Sequence, residues 1–121
     1  MLRMSQIVDG ANVKRAQLAR LSLSNAADIG RNKADAAARG AQRLRPGQNV
    51  VPLAINVVAE KFDGALLDDV DAVFCCVDNV EARLTIDQLC IGRRLVLVDA
   101  STIGNNVSVV VAVPHVTDSY V

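Results

Sequence analysis

Aromatic residues are nearly missing. There is no tryptophan, and one tyrosine and two phenylalanines make up 2% of the 121 residues. Large rings therefore cannot fill the core. It must be built from Val, Leu, Ile and Ala in a chain that is 51% hydrophobic, as in a sheet covered by helices. An excess of charge is missing too, since thirteen basic and thirteen acidic residues cancel. No broad field then attracts nucleic acid or an anionic membrane. No apolar run approaches the roughly 20 residues of a bilayer span. The start, MLRMSQIVDG, lacks the long apolar segment of a signal peptide, so a cytoplasmic or nuclear location is expected. The three cysteines, Cys75, Cys76 and Cys90, contain no CxxC, and His115 alone cannot complete a zinc site. Cys75 and Cys76 lie in an apolar run and read as small buried hydrophobes. The seven glycines are scattered, with no GxGxxG and no GxxxxGK[ST]. A phosphate-cradling turn is therefore not legible, and a dinucleotide-dependent oxidoreductase is the weakest reading of the chain.

What is present alternates. Ser5 to Val8 reads as a short strand ending at Asp9-Gly10. Asn12 to Leu23 has mixed helical spacing. Lys33 to Leu44 is a better helix, with Ala34, Ala37, Ala38, Ala41 and Leu44 on one small-residue face. Arg45-Pro46-Gly47 stops it. Val50 to Ile55 reads as a strand, and Pro52 marks it as an edge or bulge. Gly64 to Asp69 suggests a helical turn. Ala72 to Val77, AVFCCV, reads as a strand buried on both faces. Val80 to Ile91 is a helix with apolar rows Val80/Leu84 and Ala82/Ile86. Leu95 to Val98 and Val107 to Val113 are strands around the turn Gly104-Asn105-Asn106. The order predicts an α/β fold: an incomplete Rossmann-like, mostly parallel, doubly wound sheet with an antiparallel edge strand near the C-terminus.

Three side chains invite chemistry. Asp78 begins the motif Asp78-x-x-Glu81, a capping box, and it also stands where a strand hands over to a helix, the place where open α/β sheets bind ligands. Arg20 and Lys33 read either as solvated helix charges or as cations for a polyphosphate, one as a fork and one as a point charge. His115 and Tyr120 lie in the tail PHVTDSYV, where solvated side chains are the ordinary outcome.

VDNVEARLTIDQLC and LVLVDASTIGNNVSVVVAVPHVTDSY, with DIGRNKADAA upstream, resemble the ThiF- or MoeB-like adenylation domain of ubiquitin-activating enzyme over roughly Gln6 to Tyr120. The resemblance implies ATP and Mg²⁺ on a Rossmann-like sheet and adenylation of the C-terminal carboxylate of ubiquitin or a ubiquitin-like protein. It places the metal and nucleotide at Asp78, followed by Asn79. It places phosphate contacts at Lys33 and Arg20 and a backbone contact to adenine at Val57. The family's ribose-binding acid falls on Ala11, with Asp9 two positions earlier. A family asparagine falls on Gln17 and a glutamine on Leu21. The resemblance also implies that residues 1–121 are a partial adenylation domain, without the first strand and its glycine loop and without the downstream catalytic-cysteine domain. Catalysis by the chain alone is then not expected. The alternative is a noncatalytic half that pairs with a second adenylation-type subunit.

Overall fold

The computed structural model describes residues 4–59 and 62–120. The chain divides into two compact units, Met1–Glu60 and Lys61–Val121.

In the first unit, β1 (Ser5–Val8) and β2 (Val50–Leu53) form a parallel pair, and α1 (Lys33–Leu44) packs on both. Pro52 is tolerated because, among the described residues, β2 pairs with β1 alone and its other edge carries no ladder. The helix expected over Asn12 to Leu23 is instead a 3-10 turn, Arg15–Arg20. Tertiary pairing overrides the spacing here. Val13, 2% exposed, donates its N–H to Arg31 O at 2.8 Å and accepts from Gly30 N at 2.9 Å, so its backbone is committed outside any helix.

Helix α1 starts and stops as expected, but its face differs. Ala34, Ala36, Ala38 and Gly40 are buried, whereas Leu44 is 78% exposed. The helix meets β1 and β2 on one side and the Leu23 backbone at Gly40, so burial spreads beyond a single row. A Cβ at Gly40 would collide with the Leu23 carbonyl. Gly40→Ala should therefore destabilise by about 1–3 kcal/mol despite alanine's better helix propensity. Gly92 meets nothing within 4 Å. There the same change should stabilise by about 0.5–1 kcal/mol, and urea unfolding of both variants checks the opposite signs.

In the second unit, a 3-10 turn, Gly64–Leu67, precedes β3 (Ala72–Cys75), α2 (Val80–Arg93), β4 (Val96–Ile103) and β5 (Asn106–Ala112). β3 and β4 are parallel, and β5 returns antiparallel at the edge. The hairpin closes at Ile103↔Asn106 across Gly104-Asn105, with Gly104 at φ 60 in the first loop position, as a type II′ turn requires. The α/β class, the parallel pairing and the antiparallel edge strand agree with the sequence expectation.

Burial corrects two details. β3 is not buried on both faces: Cys75 is 1% exposed and Phe74 is 75% exposed. The core of Cys75, Cys90, Leu97 and Ala112 lies on one face of this sheet, with Ile86 packed against it. On α2 the row Ala82/Ile86 faces that core, while Val80 and Leu84 are exposed. Cys76 is also exposed, unlike Cys75 and Cys90. Burial, followed by a nearby carboxylate, pushes the Cys75 and Cys90 thiols up to about 11. Iodoacetamide at pH 8 should therefore label Cys76 in the native protein and reach the other two only on unfolding, as peptide mass mapping would show.

Candidate functional site

The first unit forms a cleft at the C-terminal end of β1. The strand ends at Val8, and Asp9 N still donates to Leu53 O at 3.1 Å. The chain then turns, with Ala11 N donating to Asp9 Oδ1 at 2.8 Å. Asn32 ties this turn to α1. Its Nδ2 donates to Asp9 O at 2.7 Å and to Ala11 O at 3.2 Å, and its Oδ1 accepts from Ala34 N and Asp35 N as the N-cap. Lys33 N donates to Ala11 O at 2.8 Å, so the first residue of α1 is locked beside the strand exit. Arg20 arrives at the end of the 3-10 turn, which Gln17 braces by accepting from Lys14 N at 3.2 Å.

A cavity of ≈ 240 Å³ is lined by Asp9, Arg20, Leu21 and Lys33, among others. Arg20 and Lys33, thirteen positions apart in sequence, thus face one space. Asp9 lies beyond the last paired strand residue, so strand alternation does not turn it away, and it joins the cleft. Ala11 is exposed in the same turn and carries no acid. Val57 follows Asn56, whose Oδ1 accepts from Val58 N and Ala59 N at 3.0 and 3.1 Å. A Cβ at Gly10 would lie 2.8 Å from Asn56 N, so the loops leaving β1 and β2 touch. Val57 is half-buried there and is not among the residues lining the cleft.

Asp78 and Asn79 belong to the second unit. The cap expected from Asp78 is made by Asn79, whose Oδ1 accepts from Ala82 N at 2.8 Å. The register is one residue later because Val80, not Asn79, is the first helical residue. Asp78 is exposed, and its carboxylate makes no hydrogen bond or ion pair with the other described residues. A helix cap therefore does not occupy it.

Behind this turn lies a network that sequence reasoning missed, built on two buried acids and reaching the 40% exposed Tyr120. Arg83 donates from Nε to Asp99 Oδ1 at 3.0 Å and from Nη2 to Val77 O at 2.9 Å. Tyr120 donates its phenol to Asp99 Oδ2 at 2.9 Å and its backbone N–H to Asp87 Oδ2 at 2.9 Å. Asp87 and Asp99 are 1% and 2% exposed. Burial alone pushes the Asp99 carboxyl up, but hydrogen bonds from Arg83, Cys75 and Tyr120 outweigh it and hold it below the usual carboxylate range. Burial and the Asp99 bond together raise the Tyr120 phenol. A signal was available: β4 alternation puts Asp99 on the face of Leu97, where an acid needs a partner. His115 is exposed, has φ 64, and borders a cavity of ≈ 230 Å³ with Asp87 and Cys90. Among the described residues no group of three or more His, Cys, Asp or Glu could hold a metal, and no helix is long and apolar enough to cross a membrane.

The chain is 33% identical over 117 residues to ubiquitin-like modifier-activating enzyme 7 of Homo sapiens, covering 94% of this chain and 12% of the relative. It is 29% identical over 119 residues to ubiquitin-activating enzyme E1 1 of Candida albicans (strain WO-1), again covering 94% of this chain and 12% of the relative. The chain thus spans about an eighth of the length of these relatives. The E. coli MccB structure with succinimide superposes with a TM-score of 0.79 at 19% identity, over 97% of this chain and 35% of that one, and shows the shared fold. The resemblance carried by DNVEAR and PHVTDSY is borne out by these relatives. Residues 3–121 match the ThiF family, and the chain belongs to it.

Proposed function

We propose that the chain is the nucleotide-binding part of an enzyme that activates ubiquitin or a ubiquitin-like protein. The reaction is attack by the C-terminal carboxylate of that protein on the α-phosphate of ATP, giving an acyl-adenylate and releasing pyrophosphate. The observation that carries this reading is the convergence of Arg20 and Lys33 on the Asp9 cleft at the end of β1. A space with two cations and one acid fits a polyphosphate beside a hydroxylated sugar. Arg20 forks onto phosphate oxygens, and Lys33 adds a point charge. Both oppose the negative charge that gathers at the α-phosphate. Asp9 is the cleft's carboxylate where the family position, Ala11, has none. Val57 offers backbone to the base. Asp78 would hold Mg²⁺, an ion that commonly takes one or two protein carboxylates. Asn79 follows it, with its side-chain oxygen capping α2.

Residues 1–121 act here as part of an adenylation domain. A first strand with its glycine loop and a catalytic-cysteine domain complete the machinery. Pyrophosphate exchange into ATP tests the function in the native polypeptide. Exchange that needs a ubiquitin-like protein with a free C-terminal carboxylate supports it, and exchange indifferent to that protein counts against it.

A second reading has its own observation. Phe74, Val107, Val109 and Val111 are 75%, 71%, 61% and 50% exposed, and the register puts them on one face of the three-stranded sheet. A contiguous apolar face suits a noncatalytic half covered by a second adenylation-type subunit. That reading expects a stable dimer or heterodimer without nucleotide. A monomer in sedimentation velocity argues against it.

A further inference from the structure

We infer that Arg83 is a positioning residue for Asp78, braced by buried Asp99 and, through it, by the Tyr120 phenol; this rests on the nucleotide reading above. Arg83 Nη2 holds Val77 O at 2.9 Å, one residue before Asp78. Asn79 Oδ1 holds Ala82 N at 2.8 Å, one residue after it. Asp78 is therefore flanked by two fixed neighbours, while its own carboxylate has no partner among the described residues. Capping α2 needs only Asn79. The Arg83 contact to Val77 O adds nothing to the helix, but it fixes the direction in which the turn leaves the sheet.

The guanidinium is itself held on the far side. Its Nε meets Asp99 Oδ1 at 3.0 Å, and Tyr120 takes the other oxygen at 2.9 Å. With both carboxylate oxygens used, the buried acid has little freedom to turn. A planar fork reaches the carboxylate and the carbonyl together, which the single ammonium of lysine does not reproduce. Tyr120 is anchored a second time, by its N–H on Asp87 Oδ2 at 2.9 Å. The segment after β5 is thus tied to the turn that carries Asp78.

A mutant cycle tests this in the native polypeptide, read by Mg·ATP affinity and by amide hydrogen exchange at Asp78 and Asn79. Arg83→Lys keeps a positive charge beside Asp99 and loses the fork. It should weaken Mg·ATP about tenfold, the low end for groups that orient a metal ligand, and should speed exchange at both amides. In an Asp78→Asn background the same change should weaken binding no further, because the positioned group is gone. Tyr120→Phe should move both readouts in the same direction by about twofold, and it decides the matter if Arg83→Lys does not fold. Equal losses in both backgrounds, or unchanged exchange at Asp78 and Asn79, overturn the inference. A wild-type polypeptide that takes up no Mg·ATP sinks the nucleotide reading, while exchange at the two amides still decides whether Arg83 orders the turn.

Discussion

Replacing Arg83 with alanine is expected to destabilise the protein by about 3–5 kcal/mol, because it strands a buried carboxylate. Asp99 is 2% exposed, and the guanidinium is its cationic partner. Val77 O loses its donor in the same substitution. The loss should shrink sharply in an Arg83→Met, Asp99→Leu double variant, since removing both charges also removes the desolvation cost. Equilibrium unfolding in urea measures all three proteins. A loss under about 1 kcal/mol for the single variant, the range of an exposed pair, would show that water reaches the site. The pH dependence has a definite sign. The folded-state pKa of Asp99 is lowered, so its contribution is present above the unfolded value and is lost as pH falls through the folded one. The wild type should therefore lose stability below about pH 4, the ordinary Asp value, and this part of the acid sensitivity should be missing in Asp99→Asn.

The second large effect concerns the cleft. Lys33→Ala and Arg20→Ala should each weaken Mg·ATP binding about 10- to 100-fold, the range for losing a hydrogen bond to a charged group. Because both cations line one space, the double variant should depart from additivity. Raising salt should weaken the wild type more than either variant, since each variant has lost one screened attraction. Isothermal titration at two ionic strengths reads both effects. Thermal stability should change little, because Arg20 is exposed and Lys33 is held mainly through its backbone N–H.

Much of the fold was legible because local and tertiary demands agreed. The alanine-rich run from Lys33 to Leu44, with Arg45-Pro46-Gly47 behind it, bounded α1 to the residue. β1 ended at the Asp9-Gly10 turn as read. The sequence misled where tertiary pairing took over. Val13 has an apolar side chain at helical spacing, but its backbone pairs with Gly30 and Arg31. AVFCCV reads as a doubly buried strand, but Phe74 lies 75% exposed on the face opposite the Cys75 core.

The candidate site divides the same way. Arg20 and Lys33 could be singled out by charge and resemblance, yet only folding puts them in one cleft. Asp78 looked like a cap because its spacing to Glu81 satisfies the pattern, and the helix begins one residue too late for it. Asp99 and Tyr120 went unseen as a pair because 21 residues separate them. No local pattern reports a hydrogen bond made across a hairpin and a tail.

The most direct measurement is a titration of the native polypeptide with ATP, with and without Mg²⁺, in wild type and Asp78→Ala. If this is a nucleotide-binding domain with its metal on Asp78, Mg²⁺ strengthens ATP binding in the wild type and gives no gain in the variant. Equal affinities for the two proteins, with Mg²⁺ strengthening both alike, would contradict it.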